Sequence, residues 1–350
     1  VDGATSTAVL GNFFNDINQQ VEIYIPDRKT EGYGPSIKGF KSLISGGSKL
    51  IFTVDCGTLS FDTIQFSQKK NTDVLVLDHH QSELNLPNAY SIVNPNRYDD
   101  QSKLNYLCAA GVCFMFLVAL NKKLREINWF NTNKKKEPDL MNYLDLVSLG
   151  TVCDVVPLVG LNRALVSQGL EILKKKSNLG IKTLKNICGI ETNLNTYHLG
   201  YIIGPRINAG GRVGKCSHGA NLLISKDSKE TFKIASELEI YNNERKLIEN
   251  NTLKKIENSI VIDNNEPVIV LSGHNWHGGI IGIVASRIKE KYNKPTIIIS
   301  VEKGLGRASA RSIIGFDIGA LIISAVQNNI LKKGGGHKMA GGFSIEEKKI

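Results

Sequence analysis

A run of four apolar residues, Val74-Leu75-Val76-Leu77, stops abruptly at Asp78-His79-His80. An unbroken run of this kind reads as a strand buried on both faces, the condition of a parallel sheet covered by helices. In open α/β sheets, ligands bind just beyond the carboxyl ends of such strands. A carboxylate and two imidazoles placed there are candidate metal ligands. A second signature lies far downstream, Gly334-Gly335-Gly336-His337-Lys338-Met339-Ala340-Gly341-Gly342.

The surrounding pattern supports the same fold class. Val21 to Ile25 reads as a strand ending at Pro26, Lys49 to Val54 as a second, and Val74 to Leu77 as a third. Helical stretches lie between them, such as Ser60 to Lys69. This alternation is that of an α/β domain built on a parallel sheet. The apolar run Leu107 to Leu120 is too short to span a bilayer and reads as a buried helix. Residues 121–139, rich in Lys and Asn, read as an exposed loop, and Leu140 to Leu149 as a helix. Lys229 to Asn258 reads as one long helix joining two domains. A second α/β pattern follows: a strand from Pro267 to Leu271, a helix from Ile281 to Tyr292, and a strand from Thr296 to Ser300. The expected division is therefore a catalytic domain over 1–225, a connecting helix over 226–260 and a smaller α/β domain over 261–350.

With 350 residues, 41% of them hydrophobic, the chain is long enough for two cores. Its formal net charge of +10 suits a polyanionic partner. Six cysteines with no Cys-x-x-Cys pair exclude a zinc-finger spacing and a disulfide framework, and fit reduced thiols in a cytoplasmic protein. No signal peptide or membrane span is legible. A chain opening at Val1 without methionine reads as a fragment.

Acidic residues recur at the ends of expected strands: Asp55 after Ile51 to Val54, Asp78 after Val74 to Leu77, and Asp154 after Thr151-Val152-Cys153. Asp2 precedes an expected helix, Thr5 to Phe14. One such aspartate is ordinarily a helix cap or a turn residue. Four, with two adjacent histidines, form a donor set for Mn²⁺, Fe²⁺, Zn²⁺ or Mg²⁺. Consecutive glycines near the C-terminus suit a backbone nest for an anion, flanked by His337 and Lys338. Ser309 and Arg311 are placed to grip a nucleotide phosphate, as are the forks of Arg206 and Arg212. Trp276-His277 fits either base stacking or a core position.

These segments resemble the RecJ single-strand DNA exonucleases of the DHH phosphoesterase superfamily, with the associated DHHA1 domain. The resemblance runs from Val1 to about Ile345. It rests on Val1 to Ser6, Val54 to Gly57, Leu77 to His80, Asp154 to Leu158 and Gly334 to Gly342. Within the superfamily it rests on Arg206 to Arg212, Trp276 to Arg287 and Ser309 to Ser312.

The resemblance implies a DHH parallel-sheet domain and a smaller DHHA1 α/β domain. It implies Mn²⁺ or Mg²⁺ as cofactor, with Asp2, Asp55, His79 and Asp154 as ligands and Asp55 bridging to a second ion. His80 would face the scissile phosphate as donor or acid, and Asp78 would fix the histidine tautomer. Arg206, Asn208, Arg212, His277, Ser309, Arg311, Gly335, Gly336 and His337 would hold substrate. The family's first motif reads Asp-x-Asp-x-Asp-Gly, and this sequence enters it at Val1-Asp2-Gly3. Two upstream carboxylates are absent from it, so the second metal site is expected to be incomplete and the activity of this stretch reduced.

The implied reaction is metal-dependent 5′→3′ degradation of single-stranded DNA to 5′-mononucleotides in repair and recombination. The implied partners are single-stranded DNA and a helicase or single-strand-binding protein, with no membrane, and the protein is expected to act as a monomer. Two alternatives stand beside it. One is a phosphodiesterase of short oligonucleotides, phosphoadenosine phosphate or cyclic dinucleotides, and the other is a non-catalytic DNA-binding scaffold.

Overall fold

The computed structural model describes residues 1–27, 30–259 and 266–350, which divide into two compact units, 1–242 and 243–350. The first unit opens with α1 (Asp2–Asp16) and α2 (Ile37–Ser45), followed by β1 (Leu50–Val54), α3 (Phe61–Gln68), β2 (Asp73–Leu77) and β3 (Ser91–Val93). The strands form a parallel sheet in the order β1-β2-β3. In register, Val54 lies opposite Leu77, and Leu77 opposite Val93. Asp55 and Asp78 therefore leave the sheet side by side at its carboxyl edge. Their backbone N–H groups extend the ladder, bonding to the carbonyls of Leu77 and Val93 at 3.1 Å each.

Helices supply the rest of this unit: α4 (Ala109–Glu126), α5 (Trp129–Thr132), α6 (Leu144–Cys153), α7 (Gly160–Lys175) and α8 (Leu179–Ile187). A π-helix (His198–Ile203) runs directly into α9 (Gly204–Val213), and α10 (His218–Ile224) follows. The main core lies where α1, α4 and α6 meet, around Ala8, Val9, Phe13, Leu117 and Leu149. A smaller core under the sheet gathers Ile51, Ile64, Val74 and Val76. The boundary between the units falls inside one helix, α11 (Ser228–Ser259), which matches the long helix read from sequence. The expected boundary at 260/261 lies outside the described residues.

The second unit carries β4 (Ile269–His274), α12 (Ile281–Tyr292), β5 (Thr296–Glu302), β6 (Leu305–Arg311), α13 (Ile318–Gln327), β7 (Lys333–His337) and β8 (Ala340–Glu346). Its sheet has the order β4-β5-β6-β8-β7, with β4 and β5 parallel and the remaining pairs antiparallel. Its core packs Ile297, Ile299, Ala308, Ala310, Ile318 and Ile322.

Five local expectations are corrected. Val21 to Ile25 forms no strand: the segment has the right side chains but no ladder partner among the described residues. Residues 121–139 are not one loop, because α4 continues to Glu126 and α5 follows. Lys123 and Arg125 favour that last turn by facing the negative end of the helix dipole. Residues 140–153 are continuously helical, a 3₁₀ turn leading into α6, so Asp154 caps a helix rather than a strand. The strand expected from Pro267 begins at Ile269 and continues to His274. The glycine run is no nest. It forms β7 and the start of β8, none of these glycines has positive φ, and their backbone is paired as Gly335 with Gly342 and Gly336 with Gly341. The lack of side chains admits α13 instead. A Cβ on Gly319 would stand 2.8 Å from the backbone of Gly336 and His337.

Candidate metal centre and its surroundings

Three carboxylates from three separate elements converge on one imidazole. His79 Nε2 lies 3.7 Å from Asp2 Oδ2, 3.4 Å from Asp55 Oδ1 and 3.7 Å from Asp154 Oδ2. Asp2 arrives on the first turn of α1, Asp55 at the end of β1, His79 just past β2, and Asp154 at the cap of α6. The helices reach the sheet edge because glycines let them. A Cβ on Gly150 would sit 2.9 Å from Asp2 Oδ1, and one on Gly3 would sit 3.1 Å from Asp55 Oδ2. Asp55 holds a left-handed backbone, φ +58°, in the turn out of β1. That conformation is costly for a residue with a Cβ and is typical of functional sites.

Asp2 is fixed by the start of α4: its carboxylate accepts from the N–H groups of Ala109 at 2.6 Å and Ala110 at 2.9 Å. The same carboxylate thus caps one helix and faces the cluster. Burial, then the charges of Asp55 and Asp154, push it up to about 7. Burial also raises Asp154, against the pull of His79. His79 is disfavoured as a cation by burial, yet the hydrogen bond with Asp55 and the charges of Asp2 and Asp154 raise it to about 9. So many acidic groups crowded around one imidazole are a donor set whose charge a bound divalent cation would offset. The set of oxygens and one nitrogen fits Mn²⁺ or Mg²⁺. The ligand atoms of Asp2, His79 and Asp154 lie within 4.8 Å of one another, as do those of Asp55, His79 and His80.

Asp78 does a different job. It is buried, and its Oδ2 accepts from the Thr58 N–H at 3.0 Å and the Thr58 hydroxyl at 2.7 Å. Its Oδ1 accepts from the His79 N–H at 2.8 Å and pairs with His80 Nδ1 at 2.7 Å. Burial alone would raise the Asp78 carboxyl, but the bond with His80 and those from Thr58 hold it well below the usual carboxylate range. His80 is raised in turn, first by that bond. Asn94 and Asn96 complete the support, donating to the carbonyls of His80 at 2.8 Å and His79 at 2.6 Å.

Sequence reading missed these supports and also Tyr33. The Tyr33 hydroxyl donates to the Asp55 carbonyl at 2.7 Å and stands 3.5 Å from His80 Nε2. Only the Gly-Tyr-Gly setting marked it, a turn that exposes a large ring. A cavity of about 810 Å³ opens beside the cluster, lined by Asp2, Asp55, His80, Asp154, Asn208 and Arg212, and continues along the outer edge of β1. Asn208 Oδ1 accepts from the Val1 nitrogen at 2.9 Å, which ties α9 to the start of α1. Arg206 stands apart. Its guanidinium is held by both carboxylate oxygens of Glu239 and donates to the Ile202 carbonyl at 2.9 Å. Its fork is committed to the protein.

In the second unit, register brings Ser309, Arg311, Gly335 and His337 onto one face of the sheet. Arg311 lies opposite Ala340, and Ala340 opposite His337. Ser309 lies opposite Gly342, and Gly342 opposite Gly335. Directly opposed residues share a face, so Ser309, Arg311, His337 and Gly335 line one surface, with Ala340 and Gly342 as its floor. Gly336 alternates to the other face, toward α13. The first turn of α12 borders the surface: a Cβ on Gly282 would meet Ser309 Oγ at 2.9 Å and Arg311 Nη2 at 3.0 Å. Arg311 also donates to Ser309 Oγ at 3.2 Å, and burial lowers its pKa. His277 Nδ1 accepts from the Gly279 N–H at 3.2 Å. Trp276 packs its indole over Gly273, which favours a packing role for it.

Comparison with known proteins adds a family to this geometry. Residues 1–151 match the DHH family, N-terminal domain, and residues 265–350 match the DHHA1 domain. The chain is 37% identical to the single-stranded-DNA-specific exonuclease RecJ of Haemophilus influenzae, over 99% of the chain and 62% of that protein. It is 33% identical to RecJ of Bacillus subtilis, over 100% of the chain and 43% of that protein. The chain thus spans less than two thirds of the length of these relatives. A crystal structure of exonuclease RecJ bound to manganese superposes with a TM-score of 0.81 at 31% identity, covering 99% of the chain and 84% of that structure.

Proposed function

The chain belongs to the RecJ family of DHH phosphoesterases, and on that premise we propose that it is the catalytic part of a metal-dependent nuclease that degrades single-stranded DNA from the 5′ end. The observation that carries the reading is the convergence of Asp2, Asp55 and Asp154 on His79, beside a His80 held by Asp78. Asp2, Asp55, His79 and Asp154 are the residues that would hold Mn²⁺ or Mg²⁺, and the RecJ relative bound to manganese supports that choice of ion. A divalent cation bound there supplies Lewis-acid charge to a phosphodiester and makes water a better nucleophile.

The side chains have separable tasks. His80, oriented by Asp78, faces the cavity with Nε2 and serves as donor to a phosphate oxygen or a leaving oxygen. Its Nδ1 is engaged by a carboxylate, so the ring cannot turn away. Asn208 and Arg212 line the cavity and are placed to position the strand's backbone. The surface carrying Ser309, Arg311, Gly335 and His337 offers an arginine fork and an uncluttered floor, suited to a nucleotide phosphate. We assign catalysis to residues 1–225, together with the strand-backbone contacts of Asn208 and Arg212, and further substrate binding to 261–350, joined through 226–260. In the cell the protein would work on repair and recombination intermediates in the cytoplasm, as a monomer, beside a helicase or single-strand-binding protein. Among the described residues no helix is long and apolar enough to cross a membrane.

A long single strand labelled at either end tests the reading. Incubated with Mn²⁺, the 5′ label is expected to appear first, as mononucleotide, and duplex DNA is expected to resist. Release from the 3′ end, or rapid cleavage confined to dinucleotides, would replace this reading with that of a short-substrate phosphodiesterase.

A further inference from the structure

We propose that Tyr197 and Tyr201 form a stacking platform for the bases of the single strand close to the carboxylate cluster, an inference that rests on the nuclease reading above. The two rings stack on each other, with centroids 5.3 Å apart and planes inclined by 29°. Both are open to solvent, Tyr197 at 59% and Tyr201 at 75%. A single exposed tyrosine is ordinary. Two stacked, solvent-exposed rings presented together on a helix match the geometry that accepts a base of any identity. Such tolerance is what an enzyme consuming a strand without regard to sequence requires.

The position of the pair follows from its helix. Residues 198–203 are a π-helix, and Pro205 accounts for the widening. Proline has no N–H to give the carbonyl four residues back, that of Tyr201, and its ring crowds that carbonyl. The side chain of Arg206 meets the carbonyl of Ile202, inside the same wide turn. π-Turns are frequent at functional sites.

The other side of this helix rests on the end of α6. Cys153 Sγ bonds to the Leu199 carbonyl at 3.3 Å, and a Cβ on Gly200 would lie 3.4 Å from Val152. Cys153 immediately precedes Asp154, so the helix bearing the tyrosines is anchored one residue from a cluster carboxylate. In the other direction α9 continues without a break to Asn208 and Arg212, which line the cavity. Seven residues separate Tyr201 from Asn208, about 10 Å along a helix axis. A strand whose phosphate is held at the cluster would pass the rings within its next few nucleotides. Lys182 is exposed on α8, which packs against the π-helix, and the net charge of +10 favours a polyanionic partner.

Binding of a fluorescent thymidine homopolymer in the presence of a chelator tests the proposal, since no cleavage then intervenes. Tyr201→Ala is expected to weaken binding about tenfold, and Tyr201→Phe to bind as wild type. Because stacking releases no counterions, the Tyr201→Ala loss should be the same at every salt concentration, a parallel displacement of the log–log salt line. A polymer of abasic residues should bind wild type and Tyr201→Ala equally. Tyr201→Ser, with a matched thermal midpoint, repeats the result in a second background. Equal binding of wild type and both variants, with Mn²⁺-dependent cleavage intact in wild type, would overturn the platform and leave the nuclease reading standing. A loss that vanishes at high salt would also overturn it, in favour of a purely ionic contact. If wild type neither bound nor cut the polymer, both readings would fall together.

Discussion

Asp78 Oδ1 and His80 Nδ1 stand 2.7 Å apart, and the aspartate is the buried partner while the imidazole keeps its other nitrogen toward the cavity. A buried carboxylate tied down by Thr58 cannot move to follow a drifting ring, so the imidazole takes its orientation from the protein. Asp78→Asn removes the charge and leaves the shape. It is expected to lower kcat by about 10- to 100-fold with KM little changed. Steady-state kinetics on a single strand with saturating Mn²⁺ measure this. A change confined to KM would place Asp78 in substrate binding instead.

His80→Ala should abolish cleavage and spare DNA binding, since the ring is outside the buried core and its loss opens no cavity. Parallel gel-shift and nuclease assays on one preparation compare the two. Cleavage at close to the wild-type rate would remove His80 from the chemistry.

The two neighbouring glycines of β7 should part company. A Cβ on Gly336 would stand 2.5 Å from the Ala340 carbonyl, whereas one on Gly335 meets nothing within 4 Å. Gly336→Ala is therefore expected to destabilise the protein by about 1–3 kcal/mol through overpacking. Gly335→Ala should leave the thermal midpoint unchanged and weaken mononucleotide binding, because the new methyl group projects onto the surface shared with Arg311 and His337. Thermal melts and product-inhibition constants separate the two effects. If Gly335→Ala bound mononucleotide normally, that surface would not be a nucleotide site.

Asp145 sets a pH dependence of stability away from the site. Burial raises its carboxyl from the ordinary 3.8 to about 6, although the backbone N–H groups of Asn178 and Leu146 oppose the shift. The folded state thus holds its proton more tightly than the unfolded state. The contribution is fully present below about 3.8 and is lost as pH rises through about 6, an effect of about 3 kcal/mol. Asp145→Asn should flatten the fall in thermal midpoint over that interval. An unchanged slope would assign the dependence to other groups.

Much of this was legible in the chain because its elements announce themselves locally. The runs ending at Val54 and Leu77 are strands, and the helix read from Ile281 to Tyr292 has those ends. Parallel pairing then places Asp55 and Asp78 at one edge without further information. What escaped the sequence depends on partners far along the chain. The fork of Arg206 looked free until Glu239, on another helix, closed on it. The glycine run reads as an anion nest from sequence, and it is the approach of α13 at Gly319 that makes it a close-packed strand. Asp154 follows apolar, β-branched residues that suit a strand, but they form the last turn of a helix packed on α1. Val21 to Ile25 has strand propensity, and propensity without a pairing edge makes no strand.

The central claim is that the carboxylates around His79 form a divalent-metal centre that cuts single-stranded DNA. Asp55→Asn, compared with wild type for Mn²⁺ binding by electron paramagnetic resonance and for mononucleotide release from the same samples, tests it most directly. The account predicts that wild type binds Mn²⁺ and releases mononucleotides only when the ion is present, and that Asp55→Asn loses both while still binding the strand. Mn²⁺ binding and cleavage retained in Asp55→Asn, or cleavage by wild type in excess chelator, would contradict it.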